Sequence, residues 1–125
     1  KDIRILLAED NELNAEIAIE LLTEAGFHVE RVADGQECCE QMKEMAEGYY
    51  DLILMDIQMP NLNGYEATKK IRQMDNQKKA SIPIIAMTAN AFAEDKEMTR
   101  KMGMNAHIAK PIDVELLIST IEKYT

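Results

Sequence analysis

The segment Leu52-Ile53-Leu54-Met55 is apolar without a break and runs straight into Asp56. A strand with one wet face alternates apolar with polar residues, whereas an unbroken run is what a parallel strand covered on both faces requires. Ile82 to Met87 has the same character, with Pro83 tolerable only near its start, and it ends at Thr88. Ile3 to Ala8, interrupted only by Arg4, ends in Glu9 and Asp10. Two weaker runs complete the set. His28 to Ala33 is broken by Glu30 and Arg31, and Ala106 to Ala109 is short and followed by Lys110-Pro111.

Segments of helical period separate these runs. Leu13, Ile17, Ala18, Leu21, Leu22 and Ala25 share one face before Gly26, so Leu13, Ile17 and Leu21 are expected in the core, with Asn14 and Ala15 between them turned outward. Asp34 and Glu37 have capping-box spacing ahead of a stripe of Cys38, Cys39, Met42, Met45 and Ala46 that stops near Gly48. After the turn Met59 to Gly64 come Ala67, Ile71 and Met74, with Glu66 and Lys70 as an i,i+4 pair. A fourth helix has Glu94 and Asp95 in its first turn and Arg100 and Lys101 in its last, ahead of Gly103. A fifth begins near Asp113 and carries Val114, Leu117, Ile118 and Ile121. Met98, Met102 and Met104 are expected to be partly exposed around the fourth helix, and most other methionines to pack inside.

Five strand–helix units in alternation predict an α/β domain built on a parallel sheet. At 125 residues the sheet is open, and its least apolar strands, the second and fifth, are the natural edges. That fits the strand order 2-1-3-4-5, the flavodoxin-like member of the two common doubly wound arrangements. The acidic balance, a net charge of −9, excludes binding nucleic acid or an anionic membrane through the bulk of the surface. Cys38 and Cys39 are neighbours with no third cysteine to pair with, which reads as a reduced, cytoplasmic setting rather than a disulfide, metal or catalytic thiol site.

In such sheets ligands sit beyond the carboxyl ends of the strands where the strand order reverses, here between strands one and three. The sequence places Glu9, Asp10, Asp56, Thr88 and Lys110 at those ends. Paired strands lie about 5 Å apart, so the three carboxylates must crowd, and crowded carboxylates repel unless a cation joins them. Oxygen donors of this kind suit Mg²⁺, which keeps several waters and accepts a phosphoryl oxygen. With Lys110 as a positive point charge and Thr88 as a hydroxyl donor, the group is suited to placing a phosphoryl group on a carboxylate. Asp56 is central and is the best nucleophile. Singly, each of these residues would be an ordinary cap or loop residue; their weight comes from standing together.

The motifs Glu9-Asp10, Leu52-Ile-Leu-Met-Asp56-Ile-Gln-Met-Pro60 with Gly64, Ala86-Met-Thr88-Ala89 and Ala109-Lys110-Pro111 resemble the receiver domain of two-component response regulators, over the whole chain. The wording of Met55 to Ala67 and Met87 to Asp113 is most similar to receivers of hybrid sensor histidine kinases. The resemblance implies that Asp56 takes a phosphoryl group from a phosphohistidine of a histidine kinase or phosphotransfer partner. It implies that Asp10, Asp56 and the carbonyl of Gln58 hold Mg²⁺, with Glu9 acting through a metal-bound water. Lys110 would pair with the phosphoryl oxygens, Thr88 would swing to bond one of them, and Lys110-Pro111 would be a cis peptide. Gln58 and Asn90 match positions that flank the phosphoryl group. Such a domain catalyses its own phosphorylation and dephosphorylation. No direct nucleic-acid or membrane contact is implied. Residues 1–125, which begin with Lys1, are expected to be one receiver domain excised from a longer chain, the cytoplasmic part of a membrane-anchored kinase being one setting for it.

One position departs from the commonest pattern. Where most members carry Tyr or Phe, three residues before Lys110, stands His107, expected to be half-buried and hydrogen-bonded on an edge strand. That points to phosphate relay over an aromatic output switch. Competing readings fit less well. A flavin carrier of the same fold needs a small, hydroxylic loop after strand one, and Glu9-Asp10-Asn11-Glu12 would repel its phosphate. An aspartyl-phosphate phosphatase of the haloacid dehalogenase type would want an acid where Gln58 stands. A receiver-like module without chemistry is the third alternative, and the intact Asp10, Asp56, Thr88 and Lys110 speak against it.

Overall fold

The computed structural model describes residues 2–89 and 93–125, the side chains of residues 93–95 excepted. In chain order the elements are β1 (Arg4–Ala8), α1 (Glu12–Glu24), β2 (His28–Val32), α2 (Gly35–Glu44), β3 (Leu52–Asp56), α3 (Gly64–Arg72), α4 (Gln77–Ala80), β4 (Ile84–Thr88), α5 (Ala93–Lys101), β5 (Ala106–Ala109) and α6 (Val114–Tyr124). All strand pairings are parallel, and the order is β2-β1-β3-β4-β5, as the apolar runs predict. Every residue of β3 and β4 is buried, while β2, at an edge, holds none that is.

The pleat sorts the strands into two cores. Leu6, Ala8, Ile53, Met55, Ile84 and Ala86 face α2 and α3, meeting Cys38, Met42, Ala67 and Ile71. Ile5, Leu7, Leu52, Leu54, Ile85, Met87 and Ile108 face α1 and α6, meeting Ala18, Leu22, Leu117 and Ile121. Both cysteines are buried and free, and burial raises the thiol pKa of each, so they act as small apolar residues.

Several local expectations need correction. Helix α1 buries Ala15, Ala18 and Leu22 and leaves Leu13 65% and Ile17 49% exposed, with Leu21 half-buried. The small side chains let the helix lie close to the sheet, and the larger residues are rotated outward. Met104 is buried rather than partly exposed, whereas Met98 is exposed. Strand β4 begins at Ile84, after Pro83, whose carbonyl accepts from the Ile53 amide. At α2 the Asp34 side chain caps the Glu37 amide at 2.8 Å, but Glu37 reaches the Ala33 amide and not that of Asp34. The full capping box is at α3, where Asn63 and Glu66 each accept from the other's amide. Helix α4 was not anticipated, because four residues are too few to show a period.

Arg72, at the end of α3, ties the far end of the sheet together. Its guanidinium donates from Nε to the Gly103 carbonyl at 2.9 Å and from Nη1 to the Ala80 and Ile82 carbonyls at 2.7 Å each. Nη2 donates to Asn105 Oδ1 at 3.0 Å. That oxygen also accepts the Ile84 amide that opens β4. Among the described residues, no helix is long and apolar enough to cross a membrane.

Candidate phosphoacceptor site

Strands β1, β3, β4 and β5 end on one rim, and the residues just there open a cleft of about 370 Å³. Glu9, Asp10, Asp56, Gln58, Thr88 and Lys110 all line it, so these six residues named from the sequence meet in one place. Carboxylate oxygens of Glu9, Asp10 and Asp56 lie within 4.8 Å of one another. Glu9 is 2% exposed and Asp56 6%, while Asp10 is open to solvent. Lys110 Nζ donates to Glu9 Oε1 at 3.0 Å and stands 3.4 Å from Asp56 Oδ1. The Lys110–Pro111 peptide is cis, and the Lys110 amide donates to the Thr88 carbonyl at 2.7 Å.

The pleat explains which side chains meet. Glu9 continues the Ile5, Leu7 alternation, Asp56 that of Leu52 and Leu54, and Lys110 that of Ile108, so all three leave on the α1/α6 side of the sheet. Thr88 continues the opposite row, Ile84 and Ala86, and approaches from the other side, 7% exposed.

The electrostatics are one-sided. Burial, reinforced by the Glu9 carboxylate, pushes the Asp56 carboxyl well above the usual carboxylate range even though Lys110 opposes the shift. One ammonium does not offset two losses, of solvent and of charge separation. Burial alone would lower Lys110, but the Glu9 and Asp56 carboxylates outweigh it and raise it, so the lysine stays charged. With Asp56 ionised, three carboxylates and one ammonium leave the site two negative charges in excess. An all-oxygen donor set, partly open to water and short of two positive charges, fits a hard divalent cation such as Mg²⁺.

The backbone around the cleft is tightly fixed. The Gly64 amide donates to the Ile57 carbonyl at 2.8 Å, and a Cβ on Gly64 would stand 2.4 Å from the Asp56 carbonyl oxygen. Asn61, at φ +65°, sends Nδ2 to Asp34 Oδ2 at 2.8 Å, anchoring the loop after β3 on the start of α2. Sequence reasoning missed that link. It also missed Arg31, which reaches the Glu9 and Asp10 carbonyls, because donors to main-chain oxygens follow no spacing rule. Asn14 and Tyr65 line the cleft as well. Asn90 lies outside the described residues. His107 is half-buried on β5 opposite Ala86, in the row of Thr88.

Residues 5–122 match the family model described as the response regulator receiver domain. The chain belongs to that family. The receiver is 37% identical to Histidine kinase 1 of Arabidopsis thaliana over 98% of its own length but spans only 13% of that relative. It superposes with a TM-score of 0.87 and 37% identity on the receiver domain of a Pseudomonas aeruginosa sensor histidine kinase, solved with a magnesium ion coordinated in the active site cleft, covering 99% of this chain and 98% of that one. With a TM-score of 0.88 and 31% identity it matches a chain of the Saccharomyces cerevisiae co-crystal of the histidine phosphotransfer protein Ypd1 with the receiver domain of Ssk1, covering 98% of this chain and 88% of that one. This is a two-component signalling receiver with a five-stranded parallel sheet of order 2-1-3-4-5.

Proposed function

We propose that Asp56 accepts a phosphoryl group from a phosphohistidine and passes it on in a relay. An Asp56 carboxylate oxygen attacks phosphorus, the P–N bond breaks, and the imidazole nitrogen keeps the electron pair and takes a proton from solvent. Lys110 pairs with the oxygens that carry the developing charge, and Thr88 donates its hydroxyl to one of them. Asp10, Asp56 and the Gln58 carbonyl would hold Mg²⁺, with Glu9 steadying it from its buried position. When bound, Mg²⁺ neutralises the carboxylates and takes a phosphoryl oxygen as ligand. Hydrolysis is the same displacement with water as nucleophile, releasing phosphate and restoring the carboxylate.

The observation that carries this reading is the convergence of Glu9, Asp10, Asp56, Thr88 and Lys110 on one cleft with Asp56 among them. The partner reading is supported by the exposed Leu13 and Ile17 on α1, of which Ile17 lines an apolar hollow of about 240 Å³ together with Ala18, Leu21, Pro111 and Ile112 beside Lys110. A histidine kinase or a helical phosphotransfer domain would dock there; Ala15, expected from the sequence to face outward, is buried and Asn14 remains. The module would belong to a longer, cytoplasm-facing kinase, and His107 in place of an aromatic favours relay over output switching.

The test is phosphorylation by acetyl phosphate with and without Mg²⁺, read by intact mass for wild type and Asp56→Asn. A Mg²⁺-dependent gain of one phosphoryl group that the variant lacks supports the reading. No gain, together with failure to bind beryllofluoride, would make the domain a partner-binding module without chemistry.

A further inference from the structure

Strand β2 forms the sheet edge next to the acidic loop, and Arg31 stands near its end, in register with Leu7. Its side chain therefore leaves the sheet on the α1 side, the side from which Glu9 and Asp56 also approach. Nε donates to the Glu9 carbonyl at 3.0 Å and Nη2 to the Asp10 carbonyl at 3.3 Å. The Glu9 amide is in turn held by the Val32 carbonyl at 3.1 Å, and Glu9 Oε2 accepts the Asn11 amide at 3.1 Å. Both consecutive peptide units of the acidic pair are thus fixed from one neighbouring strand.

Two carbonyls side by side suit the rigid, spread donors of a planar guanidinium better than the single donor centre of an ammonium. The choice of acceptor matters more. A guanidinium paired with the Asp10 or Glu9 carboxylate would compete with a cation for the same oxygens. Bonded to the main chain instead, it orients both residues and leaves their carboxylate oxygens to the cleft. We infer that Arg31 is a positioning residue of the phosphoacceptor site, clamping the Glu9 and Asp10 carbonyls so that their carboxylates are held in place for a divalent cation. The inference rests on the Mg²⁺ reading of the cleft.

Arg31 also carries a positive charge, which by itself opposes a cation nearby. Clamp and charge therefore predict opposite signs, and two variants separate them. Arg31→Lys keeps the charge and loses the two-pronged donor; Arg31→Gln loses the charge as well. Mg²⁺ affinity is measured by titration calorimetry on the intact domain for wild type and both variants. Unfolding in urea with EDTA and the Mg²⁺ dependence of acetyl phosphate labelling are followed in parallel. Both variants are expected to bind Mg²⁺ roughly tenfold more weakly, as removal of groups that orient metal ligands does. Labelling should need correspondingly more Mg²⁺ and recover once Mg²⁺ saturates.

Unchanged affinity in both variants overturns the inference, including when urea stability falls, since that marks a purely structural arginine. Tighter binding in Arg31→Gln with an unaltered Arg31→Lys overturns it in favour of simple charge repulsion. Absence of Mg²⁺ binding in wild type would instead overturn the reading of the cleft, and is seen before any variant is compared.

Discussion

Arg72 offers a direct test of what ties the end of α3 to the segments that lead into β4 and β5. Arg72→Met keeps the aliphatic stem and removes only the guanidinium. The Ala80 and Ile82 carbonyls, each 2.7 Å from Nη1, belong to buried residues and would lose a partner that water cannot readily replace. Each such loss costs about 1–2 kcal/mol. The Gly103 carbonyl and Asn105 Oδ1, at 2.9 and 3.0 Å, are nearer solvent and can rehydrate, at a cost of about 0.5 kcal/mol each. Against this stands the relief of desolvating a charge, visible in the burial that lowers the Arg72 pKa and worth on the order of 1 kcal/mol at a half-buried site. The net expectation is a loss of about 2–4 kcal/mol. In urea followed by circular dichroism the midpoint should fall by roughly 1–2 M without a change in slope. Arg72→Lys, with one donor centre, should lie between. A midpoint within roughly 0.2 M of wild type would refute the reasoning, because the four acceptors would then be satisfied without the guanidinium.

Other perturbations probe the site. Because burial and Glu9 raise the Asp56 pKa in the fold, the folded state binds the extra proton, and wild type loses stability as pH rises above the ordinary carboxylate range near 4. In EDTA, Asp56→Asn should therefore melt higher than wild type at pH 8, with the gap closing toward pH 4; a lower melting point at pH 8 would contradict this. Asp34 shows the opposite sign, its pKa lowered chiefly by the Glu37 amide it caps. Its contribution is complete above pH 4 or so and fades as pH falls through the folded value, so Asp34→Ala should cost about 1 kcal/mol at pH 7 and less at pH 3, read by urea unfolding at both. Gly64→Ala must displace the Asp56 carbonyl. It should reduce acetyl phosphate labelling of Asp56 at least tenfold in protein that remains folded by circular dichroism. Leu13→Asp with Ile17→Asp should slow transfer from a phosphorylated histidine donor tenfold or more while sparing labelling by acetyl phosphate, compared by stopped time points on the same preparation.

The sheet and the rim of the site were legible because burial on both faces leaves its mark on each strand separately. Leu52 to Met55 announces a central parallel strand without help from any other segment, and Glu9, Asp56, Thr88 and Lys110 each directly follow a strand's run. Helix α1 was misread because two apolar stripes overlap on it, and side-chain size pointed to Leu13 and Ile17 where the helix uses Ala15 and Ala18 to come close. Arg31, Arg72 and the Asn61–Asp34 link were invisible for a different reason. They join residues distant in sequence through main-chain carbonyls or a single side-chain bond, and nothing in local composition selects them.

The alternation that assigns Leu52 and Leu54 to one core and Ile53 and Met55 to the other also makes each central strand a length gauge. One residue added within β3 ahead of Asp56 would swing that carboxylate to the far side of the sheet, away from Glu9 and Lys110, and exchange the contents of both cores at once. Two residues would restore the side but move Asp56 beyond the rim. Change in chain length is therefore confined to the connections. The turns at Gly26 and Gly48 have open space around them, with nothing within 4 Å of where a Cβ would stand, although φ of +97° and +82° holds the glycines themselves in place. The connection from Asp56 to Gly64, closed by the Gly64–Ile57 hydrogen bond and pinned to Asp34, has no such space.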